Sequence, residues 1–200
     1  MKKIIVLLSI IFQCSVCFGQ ERSKVILTDG SEKVGEFTIR KPTFANSSSK
    51  LLIISKETKT KYTLKEVSKV TVYRENDSLH YEVIDVKTNF NDKKTEKKLG
   101  LLAFKGNKIN LYYVEETIHS GGSVGIGMIY NSGEAYAKKT SEVTACNIGY
   151  IYGAGARGIK KRVRDYFTDC KQLIKNVDDD TIKKDNSLDI VLFYEKNCGN

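Results

Sequence analysis

The chain has 200 residues, 40% of them hydrophobic, and this length suits one globular unit or one unit with a small appendage. The formal net charge is +9, from 33 lysine and arginine residues against 24 aspartate and glutamate residues. The two signs are interspersed, and no stretch alternates basic with aromatic residues. This pattern is typical of a solvated surface whose charge keeps the protein soluble, and no nucleic-acid partner is expected; unspecific attraction to an anionic envelope component, or binding to a protein, is the alternative.

Residues 1–19 have the three regions of a secretory signal peptide. Lys2 and Lys3 form the positive region, IIVLLSIIF forms the apolar region, and CSVCFG offers small residues to a signal peptidase. We expect cleavage after Gly19, so that the mature chain begins at Gln20 and is periplasmic or secreted. The apolar run is too short for an uncleaved membrane anchor, and no later stretch is apolar enough to cross a membrane.

Residues 20–118 are predicted to form a β-rich body. Short apolar or alternating runs are separated by turn residues; in chain order they are KVILTDG, VGEFTIR, KLLIIS, KYTL, KVTVYR and LHYEVIDV. After the polar stretch KTNFNDKKTEKK, the run LGLLAFKGNKINLYYVEET predicts a hairpin that turns at Gly106 and Asn107. This pattern is typical of an N-terminal antiparallel β-sheet or a small barrel.

Residues 119–200 are predicted to hold further strands, in MIY and EAYAKKTSEV, and then C-terminal helices. Apolar residues recur at the helical period and form one face: Ile159, Val163, Tyr166, Phe167, Cys170, Leu173, Ile174 and Val177. Thr168 or Asp169 would cap a second helix if this segment is broken in two. SLDIVLFYEKNCG predicts a last helix with Ser187 as its N-cap and Gly199 as its C-cap, and a strand is the alternative.

Strands followed by helices indicate an α+β fold, with the C-terminal helices packed on the sheet in one continuous globular unit. The overall pattern also resembles that of small exported proteins of the Bacteroidota. The resemblance rests on the signal ending in FGQ, the opening VILTDG…VGEF, the pair KYTLKEVSKVTV and the ending VRDYFTDCKQL…VLFYEKNC. It covers most of the mature chain and implies no activity.

The mature chain contains three cysteines, Cys146, Cys170 and Cys198. An exported protein meets an oxidising compartment, and an odd number of cysteines leaves one thiol over. We predict a Cys170–Cys198 disulfide that ties the chain end to the preceding helix, with Cys146 as a buried thiol. No two of the three have the C-x-x-C spacing, and His80 and His119 stand alone, so neither a metal nor another cofactor is expected.

Gly153, Gly155 and Gly158 have the G-x-G-x-x-G spacing of a dinucleotide-binding turn. That turn belongs to a parallel βαβ unit, whereas the sequence before it is antiparallel in character. Too few residues follow Gly158 for the several parallel strands that such a fold needs. We therefore interpret the glycines as a flexible turn before a helix.

The start of that helix is a candidate anion-binding site. Arg157, Lys160, Lys161 and Arg164 lie at its N-terminal end, where unpaired N–H groups favour phosphate or sulfate groups. The alternative interpretation is the ordinary solvent-exposed face of an amphipathic helix.

No local pattern indicates catalysis. A cysteine nucleophile would need Cys146 beside His119, or Cys170 beside His80, brought together by folding. We therefore expect a non-enzymatic exported module that binds a partner or has a structural role in the cell envelope. The alternative is an envelope hydrolase whose site is assembled only in the folded structure, with a histidine near a carboxylate or a thiol.

Overall fold

The computed structural model describes residues 22–40, 52–120, 128–152 and 158–199. Strands occupy the first three of these ranges, and helices occupy the last. The strands are β1 (Ser23–Leu27), β2 (Glu32–Gly35), β3 (Phe37–Arg40), β4 (Leu52–Ser55), β5 (Lys61–Thr63), β6 (Val67–Tyr73), β7 (Ser78–Lys87), β8 (Glu96–Lys105), β9 (Ile109–Ser120), β10 (Met128–Lys139) and β11 (Thr144–Tyr152). The helices are α1 (Ile159–Tyr166), α2 (Lys171–Asp178) and α3 (Ser187–Asn197). The predicted α+β fold with C-terminal helices is confirmed.

Eight strands form one curved sheet in the order β11-β10-β9-β8-β7-β6-β1-β2, and β3, β4 and β5 form a smaller sheet. Neighbours in this order pair antiparallel, and the sheet curls so far that the start of β11 also pairs with the end of β7. This extra pairing is parallel and short, from Thr144 opposite Asp85 to Cys146 opposite Lys87. The predicted antiparallel sheet is confirmed, and the alternative of a small barrel is not supported.

The run VGEFTIR does not form one strand as its pattern suggests. The chain leaves the larger sheet after β2, passes Glu36, and enters the smaller sheet as β3. The two sheets share an apolar core, to which β1, β4, β6 and β8 contribute the buried residues Val25, Ile53, Val67, Val70 and Leu99. The break therefore lets one short segment supply both sheets around a common core.

The three helices cover the face of β9, β10 and β11. Buried residues of these strands and of the helices form one apolar cluster, in which Phe167 is fully buried between the rings of Tyr166 and Tyr194. The predicted apolar helical face is buried as expected, except that Ile174 is only half-buried. The segment is broken into α1 and α2, and the N-cap of α2 is Cys170, where Thr168 or Asp169 was expected.

Helix α3 confirms the helical prediction for SLDIVLFYEKNCG and rejects the strand alternative. Its N-cap is Asn186 and not Ser187, because the Asn186 side chain accepts a hydrogen bond from the Asp189 N–H at 3.1 Å. The helix ends at Asn197, followed by Cys198 as its C-cap and by Gly199 in the left-handed region at φ +69°.

Helix α3 is fastened to the rest of the chain at its C-terminal end. Cys170 and Cys198 form the predicted disulfide, with their Cα atoms 5.7 Å apart, and Cys146 is the predicted buried free thiol. The Glu195 carboxylate accepts hydrogen bonds from three consecutive N–H groups, residues 107–109 in the β8–β9 turn, at 2.8, 3.0 and 3.2 Å. No helix of the described residues is long and apolar enough to span a membrane.

Candidate functional site

The predicted anion-binding residues lie on an exposed helix face, where aspartates of this chain pair with them. Lys160 contacts Asp180 at 2.8 Å, Arg164 contacts Asp178 at 2.8 Å, and Lys161 pairs with an aspartate one turn along α1. Arg157 lies outside the described residues. Binding of a phosphate or sulfate group here stays a prediction, and the contacts resemble those of a solvated helix surface.

The glycine motif does not belong to a nucleotide-binding unit within the described residues. Gly158 has φ +82° and is the N-cap of α1, which is a conformation that glycine adopts without steric cost. Gly153 and Gly155 lie outside the described residues. Strand β11 before the motif pairs antiparallel with β10, and α1 is followed by another helix and not by a parallel strand.

His80 has no cysteine thiol beside it with which to perform acid–base chemistry. The ring of His80 is exposed, and its nitrogens contact the hydroxyls of Ser78 at 3.0 Å and Thr71 at 3.4 Å. Cys170 is bonded to Cys198 and cannot serve as its nucleophile. The His119 side chain lies outside the described residues, so its predicted pairing with Cys146 stays a prediction. Among the described residues, no group of three or more His, Cys, Asp or Glu side chains could hold a metal ion.

A buried ion pair lies inside the curled sheet. The Lys98 ammonium is 3.0 Å from the Glu134 carboxylate, and the Tyr136 hydroxyl donates to the same oxygen at 2.6 Å. The Lys98 and Glu134 side chains are only 10% and 9% exposed. Lys98 also pairs with the more exposed Glu96 at 3.1 Å. Because Glu134 is paired with Lys98 and little of either side chain reaches solvent, we assign this pair to the core and not to a binding site.

Two concavities flank the end of β7. Val86 lines one of them, and the next residue, Lys87, lines the other. The larger, about 550 Å³, is lined by Val86, Thr88 and residues 92–96. The smaller, about 330 Å³, is lined by Lys87, Phe90, Tyr166 and residues 141–146 of the β10–β11 turn. We call the smaller one the β7-end cleft. It exists because the parallel β7–β11 pairing brings the β10–β11 turn beside the loop that follows β7.

The β7-end cleft has an apolar surface open to solvent. Val143 at its edge is 88% exposed, and Phe90 is 42% exposed while its ring packs edge-on against Tyr166, with centroids 6.0 Å apart. Tyr166 is held in place because its hydroxyl donates to the Glu142 carboxylate at 2.7 Å and accepts from the Lys139 N–H at 3.0 Å. Tyr166 is thus held by two hydrogen bonds, while Phe90 and Val143 are exposed to solvent.

The carboxylates that line the two concavities have partners within the chain, whereas the lysines that line them do not have ion-pair partners among the described residues. Each carboxylate is held by the chain: Asp92 accepts from the Asn89 N–H at 2.8 Å, Glu96 pairs with Lys98 at 3.1 Å, and Glu142 accepts from Tyr166. The ammonium groups of the lining lysines have no carboxylate within ion-pair distance in the described part of the chain; these are Lys87, Lys93 and Lys94.

Cys146 lies at the floor of the β7-end cleft. Burial, helped by the charge of Glu142, raises the pKa of its thiol to about 11, although Arg162 and Lys87 act in the opposite direction. Burial and the hydrogen bond to Glu142 likewise raise the pKa of Tyr166. Both groups therefore stay protonated near neutral pH, and a protonated thiol is a poor nucleophile. The Cys146 thiol is therefore not activated for nucleophilic attack.

The sequence did not indicate the cleft residues. Phe90 is the single apolar residue in the polar stretch KTNFNDKKTEKK, and Val143 is an isolated apolar residue in the turn after β10. Isolated exposed apolar residues are common on protein surfaces, so neither carried a signal by itself. Their significance comes from the β7–β11 pairing, which places both at one concavity.

Comparison with protein-family models, with curated proteins and with solved structures found no match to this chain. The geometry of the β7-end cleft is therefore the basis for a functional proposal.

Proposed function

We propose that this protein is an exported, non-enzymatic binding module of the cell envelope, and that the β7-end cleft receives part of its partner. The observation that carries the proposal is the exposure of Phe90 and Val143 at one concavity, beside Lys87, whose ammonium has no ion-pair partner among the described residues. Apolar side chains grouped at a concave surface with few polar groups are typical of binding sites.

The alternative of an envelope hydrolase is not favoured by any described contact at this cleft. Its thiol is protonated, and the nearby Glu142 carboxylate is already bonded to Tyr166. Glu142 accordingly serves to position Tyr166 and not to remove a proton from a substrate. A hydrolytic site elsewhere in the folded chain stays a prediction.

Export is supported by the N-terminal sequence and by the cysteines. Residues 1–19 have the order of a signal peptide, and the Cys170–Cys198 disulfide is of the kind that persists in oxidising compartments. We expect the protein recovered from the source cells to begin at Gln20, as measured by intact mass. A mature product that retains Met1, or that carries an acylated cysteine, would contradict the proposed processing.

Binding at the cleft can be tested by photo-cross-linking in the source cells. The full chain carries a photo-reactive amino acid in place of Val143 or, as a control, in place of Val34. Val34 is also exposed, at 66%, but lies on β2 at the other end of the sheet order. We expect an adduct of defined mass from position 143 alone. Absence of an adduct at 143, or the same adducts from both positions, would overturn the proposed site.

A further inference from the structure

We propose that Arg162 and Tyr150 form a binding site for an oxyanion, the carboxylate or phosphate group of a small ligand, with Asn147 as the residue that positions Arg162. Arg162 lies on α1, and the other two residues lie on β11. None of the three lines the β7-end cleft, so this inference goes beyond the proposed function and does not depend on it.

Arg162 differs from the other basic residues of α1 in that no aspartate pairs with it. Each of the others forms an ion pair; the pairs are Lys160–Asp180, Lys161–Asp165 and Arg164–Asp178. The partners of Arg162 among the described residues are both neutral, because its guanidinium donates to the Asn147 side-chain oxygen and to the Tyr150 hydroxyl. Hydrogen bonds to neutral acceptors do not cancel a charge, so one positive charge of this helix is left over.

The carboxylates that neighbour this site are paired with other cations. Glu134 lies opposite Tyr150 across the sheet, and its carboxylate is 3.0 Å from the Lys98 ammonium. Asp165 follows Arg162 one turn along α1 and is paired with Lys161. Neither carboxylate is within ion-pair distance of the Arg162 guanidinium, so neither neutralises it by direct contact.

Arg162 and Tyr150 together have hydrogen-bond donors to spare. A guanidinium has five N–H groups, and Arg162 uses one on Asn147 and one on Tyr150. The Tyr150 hydroxyl oxygen accepts from Arg162 at 3.2 Å, while its own proton has no acceptor among the described residues. Both side chains are half-buried and therefore reach solvent. An oxyanion can accept two hydrogen bonds from a guanidinium at once, and a donor 3.2 Å away can contact the same group.

Asn147 supplies the second observation. It is fully buried, and its side-chain nitrogen has no hydrogen-bond partner in the described part of the chain. A buried donor without a partner costs free energy and requires an explanation. An aspartate at this position would accept the same hydrogen bond without leaving an N–H group unpaired, but its charge would cancel that of Arg162. We attribute the asparagine to a requirement for a guanidinium that is held in place and keeps its charge.

The test follows nuclear magnetic resonance signals of the isotope-labelled protein, processed and disulfide-intact, during titration with sodium acetate or sodium phosphate at pH 7. Sodium chloride at the same ionic strength is the control for general screening. We expect acetate or phosphate to shift the Arg162 Nε–H signal and the Tyr150 amide signal along a saturating curve. The anion that binds more tightly identifies the charged group of the ligand. The same response to chloride, or no saturation with either oxyanion, overturns the site.

Two arginine variants separate this site from general attraction to α1. Arg162→Gln should weaken binding of the oxyanion by about 10-fold or more, because it removes charge-assisted hydrogen bonds. Arg164→Gln is the matched control, since it removes the same charge from the same helix but from a residue that is paired with Asp178. It should bind the oxyanion as the unmodified protein does. Equal losses in the two variants would overturn the assignment to Arg162.

Two further variants keep the test decisive if Arg162→Gln does not fold. Asn147→Asp should retain the hydrogen bond to Arg162 but neutralise its charge, so that oxyanion binding weakens by about 10-fold or more at pH 7. Tyr150→Phe removes one donor and should weaken binding by about 3-fold or more. Urea unfolding of each variant verifies that it is folded. Oxyanion binding that is unchanged in folded Asn147→Asp would overturn the inference, because a purely structural asparagine predicts that result.

Discussion

Gly106 lies where the β8–β9 turn meets α3, at a position with no room for a side chain. A Cβ atom added there would be 2.6 Å from the Ile109 carbonyl oxygen and would also collide with the Glu195 carboxylate that caps this turn. The Glu195 side chain cannot withdraw without giving up its hydrogen bonds to residues 107–109. Glycine is needed here for close approach.

We expect Gly106→Ala to lower the free energy of unfolding by about 1–3 kcal/mol, because the added methyl group forces the turn and α3 apart. Gly149→Ala is the matched control, since its Cβ would meet only the Ile159 methyl groups at 3.9 Å, which is ordinary contact. That control should lie within about 0.5 kcal/mol of the unmodified protein in urea unfolding. Equal effects of the two substitutions would contradict the steric explanation.

Glu195 makes the same junction sensitive to pH. Burial acts to raise the pKa of this carboxyl, but the N–H groups of residues 107–109 outweigh burial and hold the pKa below the ordinary 4.5. The folded state therefore favours the carboxylate. Its contribution to stability is fully present above the unfolded-state pKa and is lost as the pH falls through the lower folded-state pKa.

We expect Glu195→Gln to lower the free energy of unfolding by about 1 kcal/mol at pH 7, a modest value because the site is close to solvent. The difference between the two proteins should shrink as the pH falls below about 4. Urea unfolding from pH 7 to pH 3 measures this, with Glu75→Gln as an exposed control. A difference that stays constant over that range would show that shape, and not charge, explains the effect.

At the scale of elements, patterns that depend on local spacing predicted the structure well. The β8–β9 hairpin turns at Gly106 and Asn107 because the glycine can approach α3 closely, and the sequence marked that turn. The apolar face from Ile159 to Val177 was readable because a helix repeats every 3.6 residues. Features set by tertiary contacts were less readable: the sequence left open whether this segment is broken, and the position of the break, with Cys170 as the N-cap of α2, was seen only in the structure.

The Cys170–Cys198 disulfide ties the start of α2 to the end of α3, across a sequence separation of 28 residues. Cross-linking at this spacing restricts the unfolded chain by about 3–4 kcal/mol in the chain-entropy description. We expect the variant Cys170→Ser, Cys198→Ser to be less stable by about that amount in urea unfolding.

Dithiothreitol provides the internal control for this disulfide. It should lower the stability of the unmodified protein toward that of the double variant and leave the variant unchanged. A thiol count on the treated protein verifies that the bond has been reduced. Full reduction without loss of stability would contradict a stabilising role for the bond.

At the scale of the whole molecule, the candidate site depends on a contact that no short stretch of sequence specifies. The chain passes through β8, β9 and β10 before the start of β11 returns to pair with the end of β7. Periodicity identifies strands but not which distant strands meet, so the sequence could predict a sheet and not its curl. Phe90 and Val143 become neighbours of one cleft only through that curl.

The β7–β11 pairing also has a consequence for the order of folding. It joins segments that are far apart in the chain, and such pairings form slowly because loop-closure entropy must be overcome first. Hairpins β7–β8 and β8–β9 involve adjacent segments and can form earlier. We therefore expect Cys146, whose partner across this pairing is Lys87, to be among the last residues to become protected.

Pulses of iodoacetamide during refolding of the disulfide-intact mature chain measure this order, because Cys146 is its free thiol. Amide protection in β8 and β9 should precede loss of Cys146 reactivity. Protection of Cys146 in the earliest phase would contradict a late closure. If closure is late, the β7-end cleft is absent from partly folded chains, and a partner that needs the cleft binds only molecules that have completed folding.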